Sequence, residues 1–286
     1  MHTSIQQIIP EVYRLKMSPY LTPGMEPSNV YFVGDSEIII IDAGYPTDEA
    51  RDSIIKAWSD LGRPEVKSFL ITHVHIDHAG SLDVIKSEID APVCIHRLEA
   101  GRFDMMFPVE HEFRTIDEGD IISIKGHNVK AMHMPGHTAG HLCFYDESNG
   151  ILFSGDMIIG SDFAVIVPPD GDMREYMKSL YRAKTLQVKI ILPGHGSPVY
   201  NPYEKIEEYI HHRSMRRLQL IKLLEDFPRA IPDLAEEIYA DLMPGLRITG
   251  RLQIMAHLTD MEKDGLVEHV SGDGTDAVYR SLAGIA

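Results

Sequence analysis

Short apolar runs alternate with amphipathic stretches along the first two hundred residues. Runs of strand length occur at residues 31–33, 38–42, 66–72, 93–96, 129–134, 141–145, 151–154 and 189–192. Stretches with helical spacing occur at residues 48–61, 80–88 and 172–186, and Thr47 and Gly62 flank the first of them as predicted cap residues. Strands that alternate with helices in this way predict an α/β domain.

The pattern becomes mainly helical after residue 202. Apolar positions at helical spacing predict helices over residues 203–225, 232–242 and 246–264, and a hairpin follows with its turn at residues 271–274. This order predicts a winged-helix-like domain over residues 203–286, after a first domain over residues 1–202. Such a module more often serves packing or oligomerisation than nucleic-acid reading, so an oligomer is left open.

The composition is that of a folded globular protein. Hydrophobic residues make up 44% and charged residues 24% of the 286 positions. No apolar run approaches the ~20 residues of a membrane span, and the N-terminus lacks the features of a signal or transit peptide. A cytoplasmic protein with two reduced core cysteines, Cys94 and Cys143, is therefore expected. The net charge of −16 disfavours broad attraction to polyanions.

The strongest chemical signal is the segment 72–78, Thr-His-Val-His-Ile-Asp-His, which follows a predicted strand. It offers four ligands in seven residues: His73, His75, Asp77 and His78. Nitrogen and oxygen ligands at this spacing suit zinc, and related geometries suit iron or manganese. Solvated loop histidines are the alternative interpretation of this segment alone.

Three further segments each place one ligand directly after a predicted strand. They are Pro-Gly-His-Thr with His137, Ser-Gly-Asp with Asp156, and Pro-Gly-His-Gly with His195. A glycine beside each ligand lets the backbone turn sharply and approach an ion closely. Four strand ends therefore offer ligands to one edge, which makes coincidence a poor explanation.

In this order and at this spread, the four segments resemble the metallo-beta-lactamase superfamily from about Asn29 to His195. The resemblance implies a four-layer αββα sandwich and two Zn²⁺ ions per chain, with Mn²⁺ or Fe as alternatives. The family pattern assigns His73, His75 and His137 to one ion, Asp77, His78 and His195 to the other, and Asp156 to both. It places Asp42 behind the ligands, where it steadies the histidine loop. His141 is either a similar partner or an ordinary strand residue.

The resemblance also indicates the chemistry. Two neighbouring cations acidify a bound water, so that a metal-bound hydroxide exists at neutral pH and attacks a polarised substrate. Asp77 is expected to be a ligand first, and as a catalytic residue it could also orient the nucleophile or handle a proton. Asp156 stands where the best-known beta-lactamases have cysteine, and His75 stands where flavodiiron proteins have glutamate. Antibiotic hydrolysis and redox chemistry are therefore disfavoured.

Three hypotheses for the substrate remain open. The whole chain is most similar to the group of the mitochondrial beta-lactamase-like endoribonuclease, which implies cleavage of single-stranded RNA. His212, Arg213 and Arg216 would then contact the substrate, although a charged helix face is the more frequent meaning of such a run. The alternative is a glyoxalase-like hydrolase of thioesters, esters or lactones. A third hypothesis is a module that binds nucleic acid or a partner, with a secondary catalytic domain.

Overall fold

A computed structural model describes residues 5–17, 27–107, 113–241 and 243–282. These residues form two compact units. The first contains the described residues of 1–134, 140–163 and 186–202, and the second those of 135–139, 164–185 and 203–286. The domain boundary placed after residue 202 from the sequence stays a prediction.

A seven-stranded sheet forms one half of the first unit, and its strand order follows the chain. The strands are β1 (Gln6–Ile9), β2 (Val12–Lys16), β3 (Asn29–Gly34), β4 (Glu37–Ile41), β5 (Glu65–Leu70), β6 (Val93–His96) and β7 (Phe113–Ile116). Strands β1 to β4 pair antiparallel, and β4 to β7 pair parallel. All four isoleucines of β4 are buried, because both faces of the sheet are covered.

The second sheet of this unit has five strands in the order β12-β11-β10-β9-β8. They are β8 (Ile121–Ile124), β9 (His127–His133), β10 (Leu142–Asp146), β11 (Ile151–Gly155) and β12 (Ile190–Pro193). Only β11 and β12 pair parallel. One core contains Val33 and Ile39 of the first sheet together with Phe144 and Phe153 of the second, so the two sheets pack face to face.

The described residues of the first unit form the α-helices α1 (Asp48–Asp60), α2 (Ile76–Ala79), α3 (Leu82–Ile85) and α4 (Ala100–Met106). The hydroxyl of Thr47 accepts the N–H of Ala50, which confirms the predicted N-cap. The helix predicted over residues 80–88 is shorter in the structure, where α3 covers Leu82–Ile85. It begins after Ser81, because the N–H and hydroxyl of Ser81 donate to the carbonyls of Gly44 and Tyr45.

The second unit is mainly helical. Its helices are α5 (Met173–Ala183), α6 (Pro202–Leu223), α7 (Ile231–Ile238) and α8 (Arg247–Lys263), and α6 belongs to this unit from Tyr203 onward. Its sheet consists of β13 (Arg229–Ala230), β14 (Val267–Ser271) and β15 (Val278–Ser281). Apolar residues of three helices and the hairpin, including Leu220, Leu234, Leu258 and Val267, form its core. No helix in the described part of the chain is long and apolar enough to cross a membrane.

Candidate metal centre

Asp42 follows β4 and holds the histidine loop that leaves β5. Its Oδ1 accepts the N–H of Thr72 at 2.8 Å, and its Oδ2 lies 2.8 Å from Nδ1 of His78. Asp42 has φ of 61°, a conformation that few residues other than glycine adopt. These contacts orient the His78 ring, because the nitrogen that faces a carboxylate carries the proton and Nε2 then presents a lone pair.

The Nε2 atoms of His78 and His195 and two carboxylates converge in one cluster. Nε2 of His78 lies 3.2 Å from Nε2 of His195 and 3.3 Å from Oδ1 of Asp156. Nε2 of His195 lies 3.2 Å from Oδ2 of Asp77 and 3.4 Å from Oδ2 of Asp156. Nδ1 of His195 faces the carbonyl of Pro27 at 3.3 Å, so its Nε2 also points a lone pair into the cluster.

The electrostatics of the cluster favour a cation. Burial by itself would raise the pKa of Asp77, but His78 and His195 lower that pKa to about 2. Burial by itself would lower the pKa of His195, but Asp156 and Asp77 raise that pKa to about 10. The carboxylates therefore attract positive charge strongly, and a divalent ion can supply it by displacing the protons from the imidazoles.

The described residues of the first unit form two groups whose ligand atoms lie within 4.8 Å of one another. These groups are His73, His78 and Asp156, and Asp77, His78 and His195. In addition, Nε2 of His73 lies 2.9 Å from Nδ1 of His75. Buried imidazoles and carboxylates at this spacing fit zinc, so the residues present suit the metal that the sequence predicts.

His137 and His141 lie in different units. His137 is in the loop of residues 135–139, in the second unit, and its Nδ1 donates to the carbonyl of Val165 at 2.8 Å. His141 belongs to the first unit, where its Nε2 accepts the N–H of Asp156 at 3.1 Å. His141 thus contacts a predicted ligand from behind, whereas the assignment of His137 to a metal ion stays a prediction.

Glu99 is a residue of this region that the sequence analysis missed. Its side chain is 3% exposed, and its two carboxylate oxygens accept the N–H of Val74 at 3.1 Å and the N–H of Gly140 at 3.0 Å. Val74 lies between His73 and His75 in the chain. Glu99 precedes α4 in no recognisable motif, and its partners are distant backbone groups, so the sequence carries no signal for this contact.

The loop after β12, which carries the last predicted ligand, is tied to β3. The side-chain amide of Asn29 donates to the carbonyls of Pro193 at 2.8 Å and Gly196 at 2.9 Å. A side chain at Gly194 would place its Cβ 2.5 Å from Oδ1 of Asp156. Glycine is therefore required for this close approach, as the sequence predicts.

The residues predicted to contact RNA lie on α6 and differ in their burial and contacts. Arg213 is 2% exposed, and its guanidinium donates to the carbonyl of Ala164. The guanidinium of Arg216 lies 4.7 Å from the ring centre of Tyr239. His212 and Arg216 line an open cavity of about 390 Å³. Their role in substrate binding stays a prediction.

Comparisons with known proteins agree with this architecture. The family model of the metallo-beta-lactamase superfamily matches residues 23–195, and that of the beta-lactamase associated winged helix domain matches residues 230–275. A beta-lactamase-like protein 2 homolog of Drosophila melanogaster is 31% identical, over 90% of this chain and 92% of its own length.

Two further similarities bear on activity and fold. A protein of Aspergillus fumigatus named as an atrochrysone carboxyl ACP thioesterase is 26% identical, over 72% of this chain and 62% of its own length. The crystal structure of a beta-lactamase domain protein from Burkholderia ambifaria superposes with a TM-score of 0.85 at 20% identity, and covers 97% of this chain and 93% of that one. The α/β sandwich and the C-terminal winged helix predicted from the sequence are thereby confirmed.

Proposed function

The chain belongs to the metallo-beta-lactamase superfamily, and we propose that it is a two-metal hydrolase whose substrates are thioesters or related small esters. The observation that carries the hydrolase assignment is the convergence of His78, His195, Asp77 and Asp156. Such a buried set of nitrogen and oxygen ligands suits divalent metal ions. The superfamily generally consists of metal-dependent hydrolases.

The proposed ligands follow the family pattern. We assign His73, His75 and His137 to one ion, Asp77, His78 and His195 to the other, and Asp156 to both. Two bound Zn²⁺ ions, with Mn²⁺ or Fe as alternatives, would lower the pKa of a water and polarise the oxygen of the scissile group. The ligand set itself requires no other cofactor for hydrolysis.

Residues around the ligands control their protonation and direction. Asp42 holds the proton of His78 on Nδ1, which keeps Nε2 available as a donor to metal. His141 fixes the backbone beside Asp156. The low pKa of Asp77 keeps its carboxylate ionised, as a metal ligand must be, and an ionised carboxylate can orient the nucleophile by accepting a hydrogen bond from it.

The choice of a thioester or ester rests on two observations. A relative that covers 72% of this chain is named as a thioesterase. Two of the arginines on the helix that would serve RNA are engaged elsewhere, because Arg213 is buried and Arg217 pairs with Asp260 and Asp264. Single-stranded RNA stays the alternative substrate, but a chain with net charge −16 needs a local basic surface to bind it.

A parallel assay tests the proposal. The Zn²⁺-loaded protein is given an acyl thioester, the oxygen ester of the same acyl group, and a single-stranded RNA oligonucleotide. We expect turnover of the thioester or ester, its loss on chelation, and its recovery with Zn²⁺ or Mn²⁺. Cleavage of RNA alone would overturn the substrate class, and full turnover after chelation would overturn the metal dependence.

Replacement of one ligand sharpens this test. Asp156→Ala should reduce turnover by at least about 100-fold, because several kcal/mol of charge stabilisation at the metal ions would be lost. The matched control is Asp90→Ala, which changes an exposed aspartate of the same unit and should leave turnover unchanged. If Asp156→Ala retained near-native turnover, the assignment of Asp156 to both metal ions would be wrong.

A further inference from the structure

The ring of His137 is oriented by a segment of three residues, Ala164 to Ile166. Nδ1–H of His137 donates to the carbonyl of Val165 at 2.8 Å. This bond sets the ring's direction and leaves the lone pair on Nε2, the atom that would bind a metal ion. The direction of that lone pair therefore depends on how firmly Val165 is held.

Two side chains from the C-terminal helices hold the residues on either side of Val165. The carbonyl of Ala164 accepts from the guanidinium of Arg213 on α6. The N–H of Ile166 donates to Oε1 of Gln253 on α8 at 3.2 Å. Nη1 of Arg213 also donates to that Oε1, at 3.3 Å, so the two side chains form one connected clamp.

The backbone next to His137 is fixed within the same unit. A Cβ at Gly136 would lie 2.3 Å from Cα of Tyr176 on α5, so the loop lies directly on this helix. The carbonyl of Gly136 accepts the N–H of Asp172 at 3.0 Å. The guanidinium of Arg213 lies 5.3 Å from the ring centre of Tyr176, so this arginine contacts both supports of His137.

The burial of Arg213 makes a purely packing role a poor explanation. Among the residues that the structure describes, no carboxylate lies within ion-pair distance of its guanidinium, which is buried against carbonyl, amide and aromatic groups. Burying a guanidinium without a counter-charge is costly, and an apolar side chain would fill the same volume more cheaply. What the arginine adds is a directed hydrogen bond to the segment that orients His137.

We propose that Arg213 and Gln253 are positioning residues of the metal centre, which act on His137 through Ala164 to Ile166. The inference rests on the proposed assignment of His137 as a metal ligand. It gives the C-terminal helices a part in metal binding, in addition to any role in contacting a partner or substrate. Arg213, predicted from the sequence as an RNA contact, acts here on the protein's own backbone.

The test compares variants that keep or remove the acceptor at position 253. Gln253→Glu retains an oxygen for both Ile166 and Arg213, whereas Gln253→Leu has similar size and no acceptor. In the full-length protein, we expect Gln253→Leu to lower the affinity for one of the two metal ions by about 10 to 100-fold, measured by chelator competition. The visible spectrum of the Co²⁺-substituted protein should shift in the same variant, and Gln253→Glu should restore affinity and spectrum to those of the wild type.

His137→Ala is the reference, because it should lose one equivalent of metal outright. If His137→Ala loses that equivalent but Gln253→Leu binds Co²⁺ with wild-type affinity and spectrum, the positioning inference is overturned and the proposed function stands. If Gln253→Leu lowers the affinity for both ions equally and lowers the thermal midpoint of unfolding, and Gln253→Glu does the same, the role of Gln253 is structural and the inference also fails. If His137→Ala still binds two full equivalents of metal, both the assignment of His137 as a ligand and the inference are overturned.

Discussion

Two buried carboxylates contact the histidine loop without being among the predicted ligands. Asp42 accepts the N–H of Thr72 and faces Nδ1 of His78, while Glu99 accepts the N–H of Val74. A buried carboxylate is stable only where such donors reach it, so these bonds stabilise the loop as well as the carboxylates. The directions of the side chains predicted to be ligands therefore depend on residues outside every motif.

Glu99→Gln tests whether the predicted ligands depend on the hydrogen bonds that Glu99 accepts. Glutamine offers one acceptor oxygen and one donor group, so either Val74 or Gly140 loses the partner of its buried N–H. We expect a loss of about 1–3 kcal/mol in the free energy of unfolding and a fall of roughly 10-fold in metal affinity. Urea unfolding of the metal-free protein and chelator competition measure the two effects.

Glu88→Gln is the matched control for this substitution. Glu88 is exposed and lies in the same unit, so its replacement should change neither unfolding nor metal affinity. Unchanged metal affinity in Glu99→Gln, at a lowered stability, would show that Glu99 supports the fold without orienting the ligands.

At the scale of elements, strand pairing explains why predicted ligands that are distant in the chain meet. The parallel strands β11 and β12 pair Gly155 with Pro193, so the residues just beyond their ends are neighbours. Asp156 and His195 follow these ends, and their side-chain atoms lie 3.4 Å apart. The carboxyl ends of parallel strands are where α/β proteins commonly bind ligands.

This regularity determines how much the sequence could predict. Predicted ligands that follow apolar strands with a glycine beside them, such as Asp156 and His195, are recognisable because strand, turn and candidate residue are consecutive. Glu99 was not, because its hydrogen-bond partners Val74 and Gly140 lie 25 and 41 residues away in the chain. The late start of the helix predicted over residues 80–88 also depends on a distant contact, from Ser81 to the chain after β4.

The start of α5 offers a test of local stability in the second unit. Oδ1 of Asp172 accepts the N–H of Arg174 at 2.8 Å and of Glu175 at 3.0 Å, which satisfies two backbone groups of the first turn. Asp172→Ala should lower the free energy of unfolding by about 1 kcal/mol, whereas Asp172→Asn should remain close to the wild type because asparagine also caps helices well. Urea unfolding of both variants decides the matter, and equal losses would assign the effect to the charge of Asp172 rather than to capping.

For the whole molecule, charge limits the range of substrates. The chain carries 27 lysines and arginines against 43 aspartates and glutamates. Several arginines of the second unit are paired within it, since Arg174 and Arg217 both bind Asp260 and Asp264. A polyanion would meet an unfavourable overall potential, and a small ester or thioester would depend less on that potential.

The stability of the whole chain should also depend on the protonation of His96. This side chain is 2% exposed, and its ring stacks on that of His133 with centroids 4.2 Å apart. Burial lowers the pKa of His96, and His133 lowers it further, while Asp117 raises it; the resulting pKa is about 4. In the unfolded chain a histidine has a pKa of about 6.5, so the unfolded state binds this proton first as the pH falls.

The sign of the effect follows from that difference in proton uptake. The stabilising contribution is complete above pH 6.5 and is lost as the pH falls through 4, by about 3 kcal/mol between pH 7 and 4. His96→Asn removes the titration but keeps an acceptor for the N–H of Leu98, which Nδ1 of His96 accepts at 3.3 Å. Free energies of unfolding should be measured for both proteins between pH 7 and 4 with chelator present, so that the histidines predicted to bind metal titrate alike in both. The wild type should lose about 3 kcal/mol more than the variant across this range, because only the wild type buries a neutral histidine that the unfolded chain can protonate. Parallel pH profiles would show that His96 titrates equally in the folded and unfolded states.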